Sequence, residues 1–261
     1  MVTQTELDTA FAAMAADDND DMARLRYYER LADSELYLLL TAEPDGEDID
    51  PETVDVEGLE YLLVFDRELR LAEFVGRSAP YVALSGRSLA AMIAGDELGL
   101  AVNIGVAGYE MLVPPAAISW LSETLGQGPE EGMARILEVR PPEGVPEHLL
   151  ESLSRKLATG QGLAEFCFLA AVTYDDQTRG HVLAFVNVVD AAQHALAGAV
   201  NEALTFSGVE AGQLDVVFLA DTDPNAAKFG QVGLRFDLPK PAERTVGQAP
   251  GMDPEKPPKL K

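Results

Sequence analysis

Apolar residues recur along this chain in two rhythms, one helical and one strand-like. Leu7, Ala10, Phe11 and Met14 fall on one face at helical spacing, and the acidic run 17–21 interrupts them. Met22, Leu25, Tyr28 and Leu31 repeat the spacing, with Asp20 and Asp21 placed to cap a second helix and meet its dipole. ELYLLL at 35–40 reads as a buried strand, and LEYLLVF at 59–65 as another. A helix is expected from about Asp66, carrying Leu69, Leu71 and Ala72. PYVAL at 80–84 is a short strand, and Ser85 caps a helix holding Leu89, Met92 and Ile93.

The stretch VNIGVAGYEMLV at 102–113 admits two readings. A phosphate-binding loop needs its glycine turn to feed a helix N-terminus, where free N–H groups and the dipole meet the anion. Here GLAVNI at 99–104 is followed by YEMLV at 109–113, so the glycines feed a strand and predict a hairpin. A helix opens at Pro114, with Ile118, Trp120 and Leu121 behind it.

GQGPEEG at 126–132 has linker composition. Beyond it the order is strand (134–139), helix (Leu149, Leu150, Leu153, Leu157), two strands joined by DDQTRG, helix (Ala192, Leu196, Val200, Leu204) and strand (215–220). This β-α-β-β-α-β succession predicts a ferredoxin-like unit, with antiparallel strands ordered 4-1-3-2 and both helices on one face. GLRFDL at 233–238 is a candidate edge strand. The fold class expected is therefore α+β in two domains. A mixed-sheet α/β domain spans 1–125, a linker 126–133, and a ferredoxin-like βαββαβ domain 134–238, each with its own core. The tail 239–261 carries six prolines, and extended chain is expected there.

Between the first two strands lies an acidic segment with seven carboxylates from Asp45 to Glu57. Pro44, Gly46 and Pro51 break it, so an exposed loop over 44–58 is expected. It does not fit a calcium loop. Glycine is required at the sixth position and glutamate at the twelfth, and counting from Asp45 those positions hold Asp50 and Val56.

Charge sharpens the functional expectations. The 261 residues carry 19 basic and 44 acidic side chains, a formal net charge of −25. That field repels phosphate backbones and anionic lipids, which argues against nucleic acid or a membrane as partner. The N-terminus is acidic and lacks the basic region of a signal peptide, and no apolar run reaches a membrane span, so a cytoplasmic location is expected. A single cysteine excludes an internal disulfide.

No catalytic, cofactor or metal site is expected. Cys167 lies in FCFLAAV without a neighbouring base and reads as an inert core thiol. His148, His181 and His194 form no ligand spacing. Gly-Arg-Ser occurs twice, ten residues apart, placing the scarce cations Arg77 and Arg87 near one another in sequence. Arg87 falls in the first turn of a helix, where a cation is slightly unfavourable and an anion is welcome.

LDTAFAAMAADDNDDMARLRYYERLADSELYLLL, YVALSGRSLAAMIAG and LAVNIGVAGYEMLVPPAAISWL resemble the N-terminal domain of the SseB family, bacterial proteins named for a link to serine sensitivity. Residues 135–238 resemble the SseB C-terminal domain more loosely. The resemblance implies fold and no catalytic residues. Two functions are compatible with it. One is a non-catalytic accessory protein that binds a protein partner or itself, through a surface including Arg77, Arg87, Asn103 and Tyr109. The other is a sensor or enzyme taking a small anionic metabolite or amino acid near Arg87 and Tyr109.

Overall fold

The computed structural model describes residues 4–44, 48–106, 108–128, 134–209 and 214–240. The chain is α+β and is built on two sheets.

The first half contains α1 (Glu6–Ala16), α2 (Asp21–Asp33), β1 (Glu35–Leu39), β2 (Thr53–Val56), β3 (Leu59–Phe65), α3 (Glu68–Val75), β4 (Tyr81–Ser85), α4 (Gly86–Ile93), β5 (Leu98–Val102), β6 (Met111–Val113) and α5 (Pro115–Gly126). Thr5 caps α1 through a reciprocal capping box with Asp8, and Asp20 and Ser85 cap α2 and α4. The strands run β4-β1-β3-β5-β6, with β3 and β5 parallel and β2 added to the β1 side of β3. β5 and β6 form the expected hairpin, pairing Val102 with Met111. One face of the sheet packs under α1, α2, α4 and α5 through Leu36, Leu38, Leu62, Val64, Leu100 and Val102. The other face holds Leu39, Tyr61, Leu63, Phe65 and Ala101, and Leu71 of α3 packs on it.

The acidic segment corrects the expectation of an exposed loop. Residues 45–47 lie outside the described residues, but 53–56 form β2, closed onto β3 by a tight turn with positive φ at Glu57 and Gly58. Val54 and Val56 pack against the second face of the sheet, and the intervening Asp55 is exposed. Thr-Val-Asp-Val is a period-two strand hidden by its charge.

The second half contains β7 (Ile136–Arg140), α6 (Glu147–Thr159), β8 (Phe166–Tyr174), β9 (Arg179–Val186), α7 (Gln193–Phe206), β10 (Leu214–Leu219), α8 (Pro224–Val232) and β11 (Leu234–Asp237). α6 and α7 share one face, as expected, over a core of Leu153, Leu157, Leu183, Phe185, Leu196 and Val200. The strand order differs from the ferredoxin-like one. β7, β8 and β9 are successive antiparallel neighbours, and β10 lies parallel to β9 at the edge, giving 4-3-2-1 in place of 4-1-3-2. β11 continues along the same side of β8 as β7, pairing with Phe166–Leu169 where β7 pairs with Ala171–Tyr174. The element succession is the same in both topologies, so only the pairing separates them. The short helix α8 packs Phe229 on the opposite face.

Part of the expected linker, 129–133, and the tail beyond Lys240 lie outside the described residues. The halves meet helix to helix, α2 and α5 against α7. Phe206 of α7 belongs to the first core rather than the second and meets Trp120 edge-on at 6.1 Å.

Candidate functional site

Two charged networks organise the polar residues of this chain. The first lies where the parallel strands β3 and β5 end, the position at which open α/β sheets commonly bind ligands. Asp66 follows β3 and Asn103 follows β5. Asn103 is buried, takes the left-handed conformation with φ 55°, and its side-chain oxygen accepts from the Asp66 N–H at 3.1 Å. Arg70 fills the space. Its guanidinium donates to both Asp8 oxygens at 2.7 and 2.6 Å and to Asp66 at 2.6 Å. Thr5 donates to the remaining Asp66 oxygen. Tyr109 lays its ring over the Arg70 guanidinium at 5.3 Å and meets Phe11. Burial alone would raise the Asp8 carboxyl, but bonds from Arg70 and Thr5 outweigh it and hold the group below its usual range.

The second network crosses the junction of the halves. The Lys156 ammonium of α6 donates to both Asp33 oxygens at 3.0 and 2.7 Å and to Glu202 of α7 at 2.9 Å. The Arg87 guanidinium bonds both Glu202 oxygens at 2.9 and 3.0 Å, and Asp33 at 2.8 Å. The result is a closed ring of two acids and two bases, drawn from four helices. Burial would raise the Asp33 carboxyl, yet Lys156 and Arg87 pull it below its ordinary value, and Glu202 behaves the same way. The same carboxylates push the Arg87 guanidinium above its ordinary value. Beside the ring, the buried Glu29 accepts from Ser152 of α6 at 3.0 Å and lies 3.2 Å from Arg30. The ring lines a cleft of about 500 Å³, which Ser85, Gly126–Gly128, Thr159 and His194 also border.

Asn103 and Tyr109 thus sit together around Arg70, while Arg87 is committed to the junction and Arg77 is exposed after the end of α3. Sequence reasoning missed Asp8, Asp66, Arg70, Lys156 and Glu202. Asp8 had one legible signal, its place three residues after Thr5 in a capping box. The rest pair across 46 to 123 residues, or across the four residues that separate Asp66 from Arg70 at the start of α3.

Cys167 is fully buried, and burial pushes its thiol up to about 12, with Asp237 adding to the shift. His181 contacts the Glu143 carbonyl, and His194 is exposed beside the cleft. Among the described residues no group of histidine, cysteine and carboxylate side chains is arranged to hold a metal ion, and no helix is long and apolar enough to cross a membrane.

The Arg70 network is buried and the junction ring borders a cleft, with Arg87 partly exposed, while several large apolar side chains lie on the surface. Leu59, Leu69, Phe74 and Tyr81 are each more than a third exposed. Leu59 and Tyr81 belong to the sheet face that α3 only partly covers, and Leu69 and Phe74 belong to α3 itself. The arrangement defines a two-sheet α+β protein with internally neutralised polar clusters. Its first half has a counterpart: residues 7–120 match the model of the SseB protein N-terminal domain. The match ends inside α5, before the second sheet begins. No curated protein and no solved structure gave a significant match.

Proposed function

We infer that this chain is a non-catalytic accessory protein of the SseB type, acting by holding a protein partner on the outer face of its first sheet. The observation that carries this reading is the exposed apolar set Leu59, Leu69, Phe74 and Tyr81 on and around a sheet face over which, among the described residues, the short helix α3 packs. Large apolar side chains left exposed on one side of a domain can serve as interaction sites, and aromatic side chains anchor them. Replacing Leu69 and Phe74 together by serine removes two half-exposed side chains, of which Phe74 also rests on the buried Phe65 at 5.3 Å, so a small loss of stability is expected without loss of the fold. Partners captured from a lysate should be lost in that variant while its melting profile stays close to that of the unmodified chain. Retention of every partner by the folded variant overturns the reading.

One observation favours a second reading, a sensor of a small zwitterion or anion. The junction cleft presents Arg87, Lys156, Asp33 and Glu202 in one place. A ligand there has to displace internal ion pairs, so this reading ranks second. A thermal-shift series with amino acids, nucleotides and phosphate separates the two. Ligand at ~100 times its Kd adds about 2.7 kcal/mol to the folded state, and a shift abolished by Arg87→Ala would replace the first reading with this one.

A further inference from the structure

The edge strand β4 carries the inference, which rests on the partner-binding reading above and specifies its chemistry. β4 pairs with β1 alone, and among the described residues nothing bonds its outer side. The Leu40 N–H donates to the Pro80 carbonyl, and the Gly86 N–H donates to the Ser34 carbonyl. In the antiparallel register that pairs Leu38 with Val82 and Leu36 with Leu84, those bonds make Val82 and Leu84 the residues that face β1. The N–H and C=O groups of Tyr81 and Ala83 therefore face outward. Natural edges are commonly blunted by lysine, proline or a bulge. This one reads Tyr-Val-Ala-Leu-Ser in unbroken register, and Tyr81 and Ala83 are exposed.

The side chains beside the edge specify a charge. Tyr37 and Tyr81 meet edge-on at 5.5 Å on the outer face. The Tyr37 hydroxyl donates to Glu35 at 3.0 Å. Glu68, at the start of α3, pushes the Tyr81 phenol above its ordinary range. Neither Glu35 nor Glu68 takes part in an ion pair among the described residues. Two ring faces and two unneutralised carboxylates at one strand edge suit a guanidinium or ammonium, which gains from both.

We propose that β4 accepts an extended segment of a partner protein as an added strand, and that an arginine or lysine of that segment seats between Tyr37, Tyr81, Glu35 and Glu68. Main-chain bonds to Tyr81 and Ala83 supply affinity, and the cation supplies selectivity, the division of labour usual in strand addition.

The probe is a capped hexapeptide, Thr-Arg-Val-Arg-Thr-Val, followed by amide chemical shifts and hydrogen exchange on the full chain. Binding should protect the Tyr81 and Ala83 amides. Ala83→Pro removes an outward N–H and no bond to β1, so it should abolish the protection. A peptide methylated on alternate backbone nitrogens should fail equally, without any change to the protein. Glu35→Gln with Glu68→Gln should weaken binding about tenfold, and the peptide with glutamate in place of arginine should not bind. The proposal is overturned if the arginine peptide fails to bind at millimolar concentration, if Ala83→Pro or backbone methylation leaves binding unchanged, or if the glutamate peptide binds equally well. Should the Leu69/Phe74 variant lose captured partners while Ala83→Pro keeps them, the partner-binding reading survives and strand addition does not.

Discussion

The Lys156 ammonium lies 2.7 Å from Asp33 Oδ2, joining residues 123 positions apart and tying α6 of the second half to α2 of the first. Lys156 is 6% exposed, so it pairs in a poorly hydrated setting. Replacing it by methionine keeps the packed stem and removes the charge, leaving Asp33 and Glu202 to share Arg87. We expect a loss of about 2–3 kcal/mol in urea unfolding, between the costs typical of exposed and of fully buried pairs. Lys156→Met with Asp33→Asn should cost less than the sum of the two single changes, since they share one interaction.

Acid should loosen both charged networks. Asp33, Glu202 and Asp8 are held below their ordinary pKa values, so each binds a proton less readily folded than unfolded. Their contribution is complete above the unfolded carboxylate range near pH 4 and is lost as pH falls through the lower folded values. Stability measured from pH 6 to pH 3 should decline. In Glu202→Gln the decline should be shallower, because one of the linked carboxyls is gone.

Gly105 and Gly108 both hold positive φ in the turn between β5 and β6, 83° and 85°. Their surroundings differ. A Cβ on Gly105 would come within 3.0 Å of Phe74, whereas one on Gly108 meets nothing within 4 Å. Gly108→Ala should cost about 1 kcal/mol from backbone strain alone. Gly105→Ala should cost more in the same thermal melt, and part of the excess should vanish in a Phe74→Ala background.

Asn103 combines a left-handed backbone with a side-chain bond to the Asp66 amide. Asn103→Gly keeps the backbone and loses the bond, an expected cost of about 1–3 kcal/mol for a buried donor left unpaired. Asn103→Ala loses both and should be less stable than the glycine variant by about 1 kcal/mol more. Equal stability of the two variants would contradict the assignment.

The Cys167 thiol should resist iodoacetamide at pH 8 in the folded chain, because burial excludes the reagent and pushes the thiol up to about 12. Labelling followed by mass measurement should proceed only at the rate of unfolding and become rapid in urea.

Local rhythm made most of the elements legible. Leu149, Leu153 and Leu157 in α6, and Leu196, Val200 and Leu204 in α7, bury the faces that their spacing indicates. The β5–β6 hairpin followed from where its glycines lead. Pairing was not legible, because β10 could join β7 or β9 without altering a single local pattern. In α3 the apolar residues divide between core and surface. Leu71 is buried, but Leu69 and Ala72 are exposed, because an eight-residue helix covers only a strip of its sheet. The helix α8 was missed although Asp223 caps it and Pro224 opens it, a usable signal. Of the candidate site residues, Arg87 was noticed for its scarcity and its awkward place at a helix start. What relieves that awkwardness, Glu202, lies 115 residues away and has no local signature.

The junction ring also bears on how this chain can be inherited. Asp33 and Arg87 fall inside the segment shared with the SseB N-terminal domain, while Lys156 and Glu202 fall beyond it. Each half contributes one acid and one base, so either half grafted onto a foreign partner would bring a carboxylate and a cation requiring opposites in the same place. Recombination that exchanges the second half must therefore carry matching charges on two helices at once, or give up the fit between them. The segment that a family model recognises as a unit is, in this chain, electrostatically half of one.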